Sequence, residues 1–213
     1  MPMNSNPTSS LPLLCMAVCI IGLCELIAFY LNPSFGAIVI TLVLRFVQII
    51  LLLILLKVTP GGCNFAGLSK NNAVPGIKTG IRWSIYFGLF VCIIGGILAL
   101  AGRNPIDLFH FNVPENQVFL FLITATIISP IAEELFFRGI LYSFLRPAGI
   151  IFAVVITTAV FALSHFPGTS IPFIQIIGGI VFALCFEKSK SLFSPIIIHA
   201  LGNMAIYASV LIF

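Results

Sequence analysis

The chain has 213 residues, of which 60% are hydrophobic and only 8% are charged, and its formal net charge is +4. A soluble domain carries about 25% charged residues, and ten basic and six acidic side chains are too few to cover a water-exposed surface. This composition excludes a soluble enzyme, a disordered protein and a nucleic-acid-binding protein. It predicts one membrane domain over residues 1–213.

Apolar stretches recur along the whole chain, and a membrane-crossing helix needs about 20 such residues. Seven candidate spans cover residues 11–31, 35–56, 83–101, 117–145, 148–165, 171–186 and 194–213. The sequence therefore predicts an all-α, polytopic bundle of about seven transmembrane helices, with eight as the alternative count. Residues 1–80 are expected to form an N-terminal helical hairpin followed by a basic loop.

The boundaries of these spans follow from turn signals and charges. Asn32-Pro33 predicts the end of the first span, and the Gly61-Gly62 and Pro75-Gly76 pairs predict a polar loop over residues 57–80. In the fourth span, charged residues interrupt the apolar pattern before it resumes. We expect residues 139–145 to stay helical, because otherwise Glu134 would lie only about 6 Å inside the bilayer.

The basic residues predict the orientation of the chain. They concentrate in the second, fourth and sixth connections, at Lys57, Lys70, Lys78, Arg82, Arg146, Lys188 and Lys190. The opposite loops hold Arg103, Asp107 and Glu115. The positive-inside rule then places the N-terminus in the cytoplasm. Because no Lys or Arg precedes the first apolar stretch, we expect that stretch to be a retained span and not a signal peptide.

Ionisable side chains within the predicted spans are candidates for function, since each costs about 2.5–3.5 kcal/mol in the membrane. Glu25 and Arg45 lie in the first two spans at compatible depths, so we predict a structural salt bridge between them. The other ionisable candidates are Glu133, Glu134, Arg138, His165 and His199, and Asn203 is a further polar candidate.

These six residues fall on three helices with helical spacing. Glu134 and Arg138 are four residues apart, and so are His199 and Asn203, while His165 follows Phe161 by four. Residues at this spacing share one face of a helix. Because lipid offers no hydrogen-bond partners, we expect the three faces to meet around one internal polar cavity.

The chemistry of these groups fits hydrolysis of a peptide bond. A glutamate can accept a proton from water, an imidazole can orient that water, and the His199 ring and Asn203 amide can stabilise an oxyanion. Two His and one Glu could instead bind zinc, with the second Glu as base, and the residues alone do not decide between these chemistries. Purely structural roles also stay open: an ion-pair cluster for the acidic segment and contacts between helices for His199 and Asn203.

Three motifs resemble those of the CPBP family, also called Abi or CAAX-type intramembrane endopeptidases. The segment EELFFRG with Glu133, Glu134 and Arg138 resembles the first motif, FALSH with His165 the second, and HALGN with His199 and Asn203 the last. The resemblance implies a CPBP-like catalytic core over residues 81–213. Family members often have eight spans, whereas seven are counted here.

The resemblance also implies roles and partners. Glu133 with His165 would activate water, His199 with Asn203 would form the oxyanion hole, and Glu134 and Arg138 would support them. It favours a glutamic-type protease without a cofactor or metal over a zinc enzyme. The implied partners are the bilayer and a peptide or protein substrate, such as a precursor or C-terminal tail, in a prokaryotic cell membrane. The competing class is a non-catalytic transporter-like or immunity protein.

Overall fold

The structure is a computed structural model that describes residues 7–104, 115–166 and 171–212. The regular elements in these ranges are helical, which confirms the predicted all-α bundle. Seven long helices are α1 Pro7–Phe35, α2 Ala37–Val58, α3 Ala73–Leu100, α4 Val118–Ala148, α5 Ile150–Ser164, α6 Phe173–Ser189 and α7 Phe193–Ile212. The predicted acidic loop around Asp107 lies outside the described residues.

Five of the described helices are long and apolar enough to cross a membrane: α1, α2, α3, α4 and α7. The other two, α5 and α6, have 15 and 17 residues. At 1.5 Å per residue they measure about 22 and 25 Å, which is less than the bilayer core of about 30 Å. The architecture is that of an integral membrane protein, with two helices that fall short of a full crossing.

The first connection differs from the prediction. Helix α1 does not stop at Asn32-Pro33 but continues to Phe35. The break comes at Gly36, whose φ of 81° lies in the left-handed region that glycine adopts most readily. A proline in the last helical turn removes only one hydrogen bond there, so it did not decide where α1 ends.

The predicted loop over residues 57–80 is also too long, because α3 begins at Ala73. Pro75 sits in the first helical turn, where its missing N–H costs little. A Cβ on Gly76 would overlap the Ser191 hydroxyl, and one on Gly80 would lie 2.7 Å from the Ser194 carbonyl oxygen. These two glycines therefore let α3 pack closely against the start of α7. Gly61, with a φ of 72°, is a turn residue as predicted.

Helix α4 lies at the centre of the bundle, in contact with α1, α2, α5, α6 and α7. Residues 139–145 are helical, as the depth argument predicted. The α-helical segment Ser129–Glu134 is flanked by wider π-helical turns over Thr124–Ile128 and Leu135–Tyr142. Such turns are rare in proteins, and those that occur are often found at functional sites.

The basic connections meet at one end of the bundle, which we call the basal end (residues 59–72, 146–149 and 190–192). Arg146 Nε donates to Glu187 Oε2 at 2.8 Å, and the Leu192 N–H donates to the Gly67 carbonyl at 3.0 Å. Burial raises the pKa of Glu187, but hydrogen bonds from Arg146, Lys190 and Tyr142 outweigh it and lower that pKa to about 2. The second, fourth and sixth connections therefore lie on the same side.

Candidate active site

The deepest part of the site is an ion pair within α4. Arg138 Nη1 lies 2.6 Å from Glu134 Oε1, and both side chains are 0% exposed. Arg138 Nη2 also donates to the carbonyl of Gly179 on α6, at 3.2 Å. The four-residue spacing places both groups on one face of α4, and the contact with α6 fixes the guanidinium between two helices.

A histidine from α7 completes this pair. His199 Nδ1 lies 2.8 Å from Glu134 Oε1, the same oxygen that accepts from Arg138. The ring of Phe182 on α6 stacks on the imidazole, with centroids 4.5 Å apart and an interplanar angle of 21°. Because a carboxylate only accepts hydrogen bonds, Nδ1 of His199 carries a proton and its Nε2 faces the other way.

Glu133 lies beside this core and faces two imidazoles. Its Oε2 is 3.8 Å from Nε2 of His165 and 3.8 Å from Nε2 of His199. These separations are longer than a direct hydrogen bond, and they are short enough for one water molecule to bridge the groups. Residues from α4, α7 and the end of α5 thus surround one small volume.

His165 occupies the open side of the site. It follows the last residue of α5, and its Nδ1 lies 2.9 Å from the carbonyl oxygen of Phe161. Because a carbonyl only accepts, Nδ1 is the donor in this contact, and Nε2 faces Glu133. The His165 side chain is 32% exposed, whereas Glu134 is fully buried. The site is therefore open to the surface of the bundle at His165.

Asn203 lies one turn after His199 on α7. Its Nδ2 donates to the carbonyl of Ala125 at 2.8 Å. Ala125 belongs to the first π-helical segment of α4, so this bond ties α7 to α4. One amide N–H is engaged in this contact, and the second N–H and Oδ1 are the groups that could contact a substrate.

Three aromatic rings enclose the Arg138 guanidinium. Its Cζ lies 4.8 Å from the ring centroid of Phe161, 5.1 Å from that of Phe182 and 5.8 Å from that of Phe137. Phe161 also contacts the rings of His165 and His199, at centroid distances of 4.6 and 5.9 Å. Phe161 therefore forms the wall between the ion pair and both histidines.

The structure brings together the residues selected from the sequence. Glu133, Glu134 and Arg138 lie in one cluster with His165 and His199, and Asn203 bonds the same central helix, as described above. Their catalytic roles stay predictions. Sequence reasoning missed Gly179, whose carbonyl holds Arg138, and Phe182, which stacks on His199. The Gly178-Gly179 pair was a usable signal, since adjacent glycines within an apolar helix indicate close packing.

The predicted salt bridge outside the site is confirmed, with Arg45 Nη1 3.0 Å from Glu25 Oε1. Gln48 was missed there: its Nε2 donates to the same carboxylate oxygen at 3.1 Å. At the site itself, within the described part of the chain, no group of three His, Cys, Asp or Glu side chains is arranged to hold a metal ion.

Comparison with known families matches a segment in the second half of the chain. Residues 115–205 match the family described as type II CAAX prenyl endopeptidase Rce1-like. This segment is therefore similar to the CPBP family. The match includes all three motifs and their six polar residues, and it covers rather less than half of the chain. No curated protein and no solved structure matches this chain. The matched family is one of CAAX-type intramembrane proteases.

Proposed function

We propose that this CPBP-like protein is a glutamic-type intramembrane endopeptidase in which Glu133 activates the attacking water. The observation that carries the proposal is the position of Glu133 Oε2, 3.8 Å from Nε2 of both His165 and His199. A water bound among these three atoms would lie within hydrogen-bond reach of each of them. General-base catalysis needs that proximity first and a suitable pKa second.

The two glutamates have different tasks in this proposal. Glu134 accepts from Arg138 and His199 through one oxygen, so its charge is held in place and it orients the imidazole. Glu133 makes no contact as short as these and faces His165, which is partly exposed. Glu133 is therefore free to exchange a proton with water, while Glu134 serves as the fixed partner of His199.

The reaction then follows the usual course of amide hydrolysis. Glu133 accepts a proton from water as the hydroxide oxygen bonds to the scissile carbonyl carbon. His199, with protons on both ring nitrogens, donates from Nε2 to the oxyanion, and the free N–H of Asn203 donates to it as well. Glu133 returns the proton to the amide nitrogen, the carbon–nitrogen bond breaks, and an acid and an amine leave.

The substrate in this proposal is a peptide segment of a membrane-associated protein, such as a precursor or a C-terminal tail. The site is buried within the bundle and is reached past His165, which suits an unfolded tail better than a folded surface. We further propose that the protein resides in a prokaryotic cell membrane with its N-terminus in the cytoplasm. The basic connections at the basal end support this orientation. Residues 81–213 form the catalytic core in this proposal, although residue 80 itself lies within α3.

The test is cleavage of candidate precursor peptides by the purified protein in lipid vesicles. Glu133→Gln and His165→Ala should each reduce the turnover rate by about 100-fold or more, in line with loss of a general base or its partner. The matched control is Glu25→Gln, which changes a membrane-embedded glutamate outside the site and should keep full activity. Wild-type turnover by Glu133→Gln would overturn the assignment.

The same assay separates water activation by glutamate from zinc chemistry. Because the proposed mechanism routes no step through a metal, a strong chelator should leave the rate unchanged. Loss of activity on chelation, with recovery on adding zinc, would contradict the glutamic mechanism while leaving the protease function in place.

A further inference from the structure

A second polar cluster lies in the α1–α2 hairpin, outside the candidate active site. Arg45 Nη1 lies 3.0 Å from Glu25 Oε1 and donates to Gln48 Oε1 at 2.7 Å, and Gln48 Nε2 donates to Glu25 Oε1 at 3.1 Å. Gln48 is buried, but the side chains of Glu25 and Arg45 are 53% and 22% exposed. The charged half of this cluster therefore faces away from the bundle.

The cluster lies at a depth where its exposed side meets hydrocarbon. Glu25 is six residues from the end of the apolar stretch Ser10–Leu31, and Arg45 is eight residues from the start of Ala37–Val58. These offsets correspond to about 9 and 12 Å along the helices. Lipid tails offer no hydrogen bonds, and membrane-embedded charges almost always face protein or a water-filled cavity. An exposed charge pair at this depth calls for a protein partner.

We propose that this surface is the contact between two copies of the chain, related by a two-fold axis. A two-fold contact needs a patch that complements itself, and this one carries an acid and a base side by side. Rotation places Glu25 of one copy opposite Arg45 of the other, and the reverse. The hydrogen bonds among the described residues use Oε1 of Glu25 and Nη1 of Arg45, so Oε2 and the other guanidinium N–H groups serve the second copy.

A glycine on the same helix supports close approach at this position. Gly22 is three residues before Glu25, so the two are neighbours on the surface of α1. A Cβ built at Gly22 would meet no heavy atom of the described chain within 4 Å. Glycine weakens a helix interior, and packing within one copy gives no reason for it here. Small residues at such positions let two membrane helices approach closely.

The test measures energy transfer between donor-labelled and acceptor-labelled copies in lipid vesicles at decreasing protein-to-lipid ratios. The wild-type protein should show transfer above that of random proximity. Gly22→Leu should weaken association at least tenfold. The matched control is Gly88→Leu on α3, another glycine whose Cβ would meet open space, and it should associate like the wild type.

Charge-reversal variants at Glu25 and Arg45 provide a second, independent test in the same assay. Glu25→Arg leaves two bases in the patch and Arg45→Glu leaves two acids, so neither variant should associate with itself. A mixture of the two should associate, because each then presents the charges that the other lacks. Recovery in the mixture also shows that both variants are folded.

Two outcomes would overturn the dimer. One is random-proximity transfer by the wild type at every ratio, which would leave the surface to lipid or to a different protein. The other is wild-type association by Gly22→Leu. Neither outcome depends on protease activity, so the dimer and the proposed function stand or fall separately.

Discussion

His199 and Arg138 bind the same oxygen of Glu134, at 2.8 and 2.6 Å, although they lie on different helices. One buried carboxylate thus links α4 to α7 and balances a guanidinium that has no access to water. Because the three groups share this oxygen, their contributions to stability and activity should be strongly coupled.

Removal of one member of this group should destabilise the protein strongly. Glu134→Gln leaves Arg138 buried without its counter-charge, and breaking a buried pair in this way costs about 3–5 kcal/mol. The double variant Glu134→Gln with Arg138→Met should lose much less than the two single changes added together. Thermal unfolding in detergent measures all four proteins, and simple additivity would show that the pair is not coupled.

Gly179 should not tolerate even one added methyl group. A Cβ there would lie 2.9 Å from Cγ2 and 3.2 Å from Oγ1 of Thr158, so α5 and α6 would have to separate. We expect Gly179→Ala to cost about 1–3 kcal/mol by overpacking and to reduce activity, since the Gly179 carbonyl holds Arg138. Adding Thr158→Ala should restore most of both losses, whereas Gly88→Ala on α3 should be close to neutral. No recovery in the double variant would contradict this steric explanation.

Phe182 should matter for turnover more than for substrate binding. Its ring stacks on His199 at 4.5 Å and fixes the plane of the imidazole. Phe182→Leu keeps most of the bulk but removes the stacking, and we expect kcat to fall about tenfold with KM little changed, by analogy with misplaced catalytic groups. Phe182→Tyr should retain activity. Equal kinetics for the leucine variant would show that the helix alone orients His199.

The basal end should lose stability in acid through Glu187. Its folded-state pKa of about 2 lies below the ordinary value of 4.5. A lowered folded pKa stabilises the protein above the unfolded pKa, and this contribution disappears as the pH falls from about 4.5 towards 2. The unfolding temperature of the wild type should therefore decline more steeply over this range than that of Glu187→Gln. Parallel curves for the two proteins would contradict the assignment.

The sequence predicted the parts of this protein that depend on helical spacing and on the cost of charge in lipid. Those two rules predicted the three polar helix faces, the continuation of α4 through residues 139–145 and the Glu25–Arg45 pair. The predicted start of α3 was wrong because, by sequence alone, glycines indicate a flexible loop. Gly76 and Gly80 instead allow close packing against residues 191–197. Gly179 and Phe182 were missed because a sequence does not show which carbonyl or ring a side chain contacts, and the Gly178-Gly179 pair indicates only close packing.

The spacing between Glu134 and Arg138 also predicts where this chain can change length. One residue inserted between them would rotate Arg138 by about 100° around α4, away from Glu134 and from Gly179 on α6. The same insertion in a connection between helices would leave every contact of the ion pair in place. Natural variation in length should therefore be absent from residues 133–138 and concentrated between helices, so that this segment keeps its register while the loops diverge.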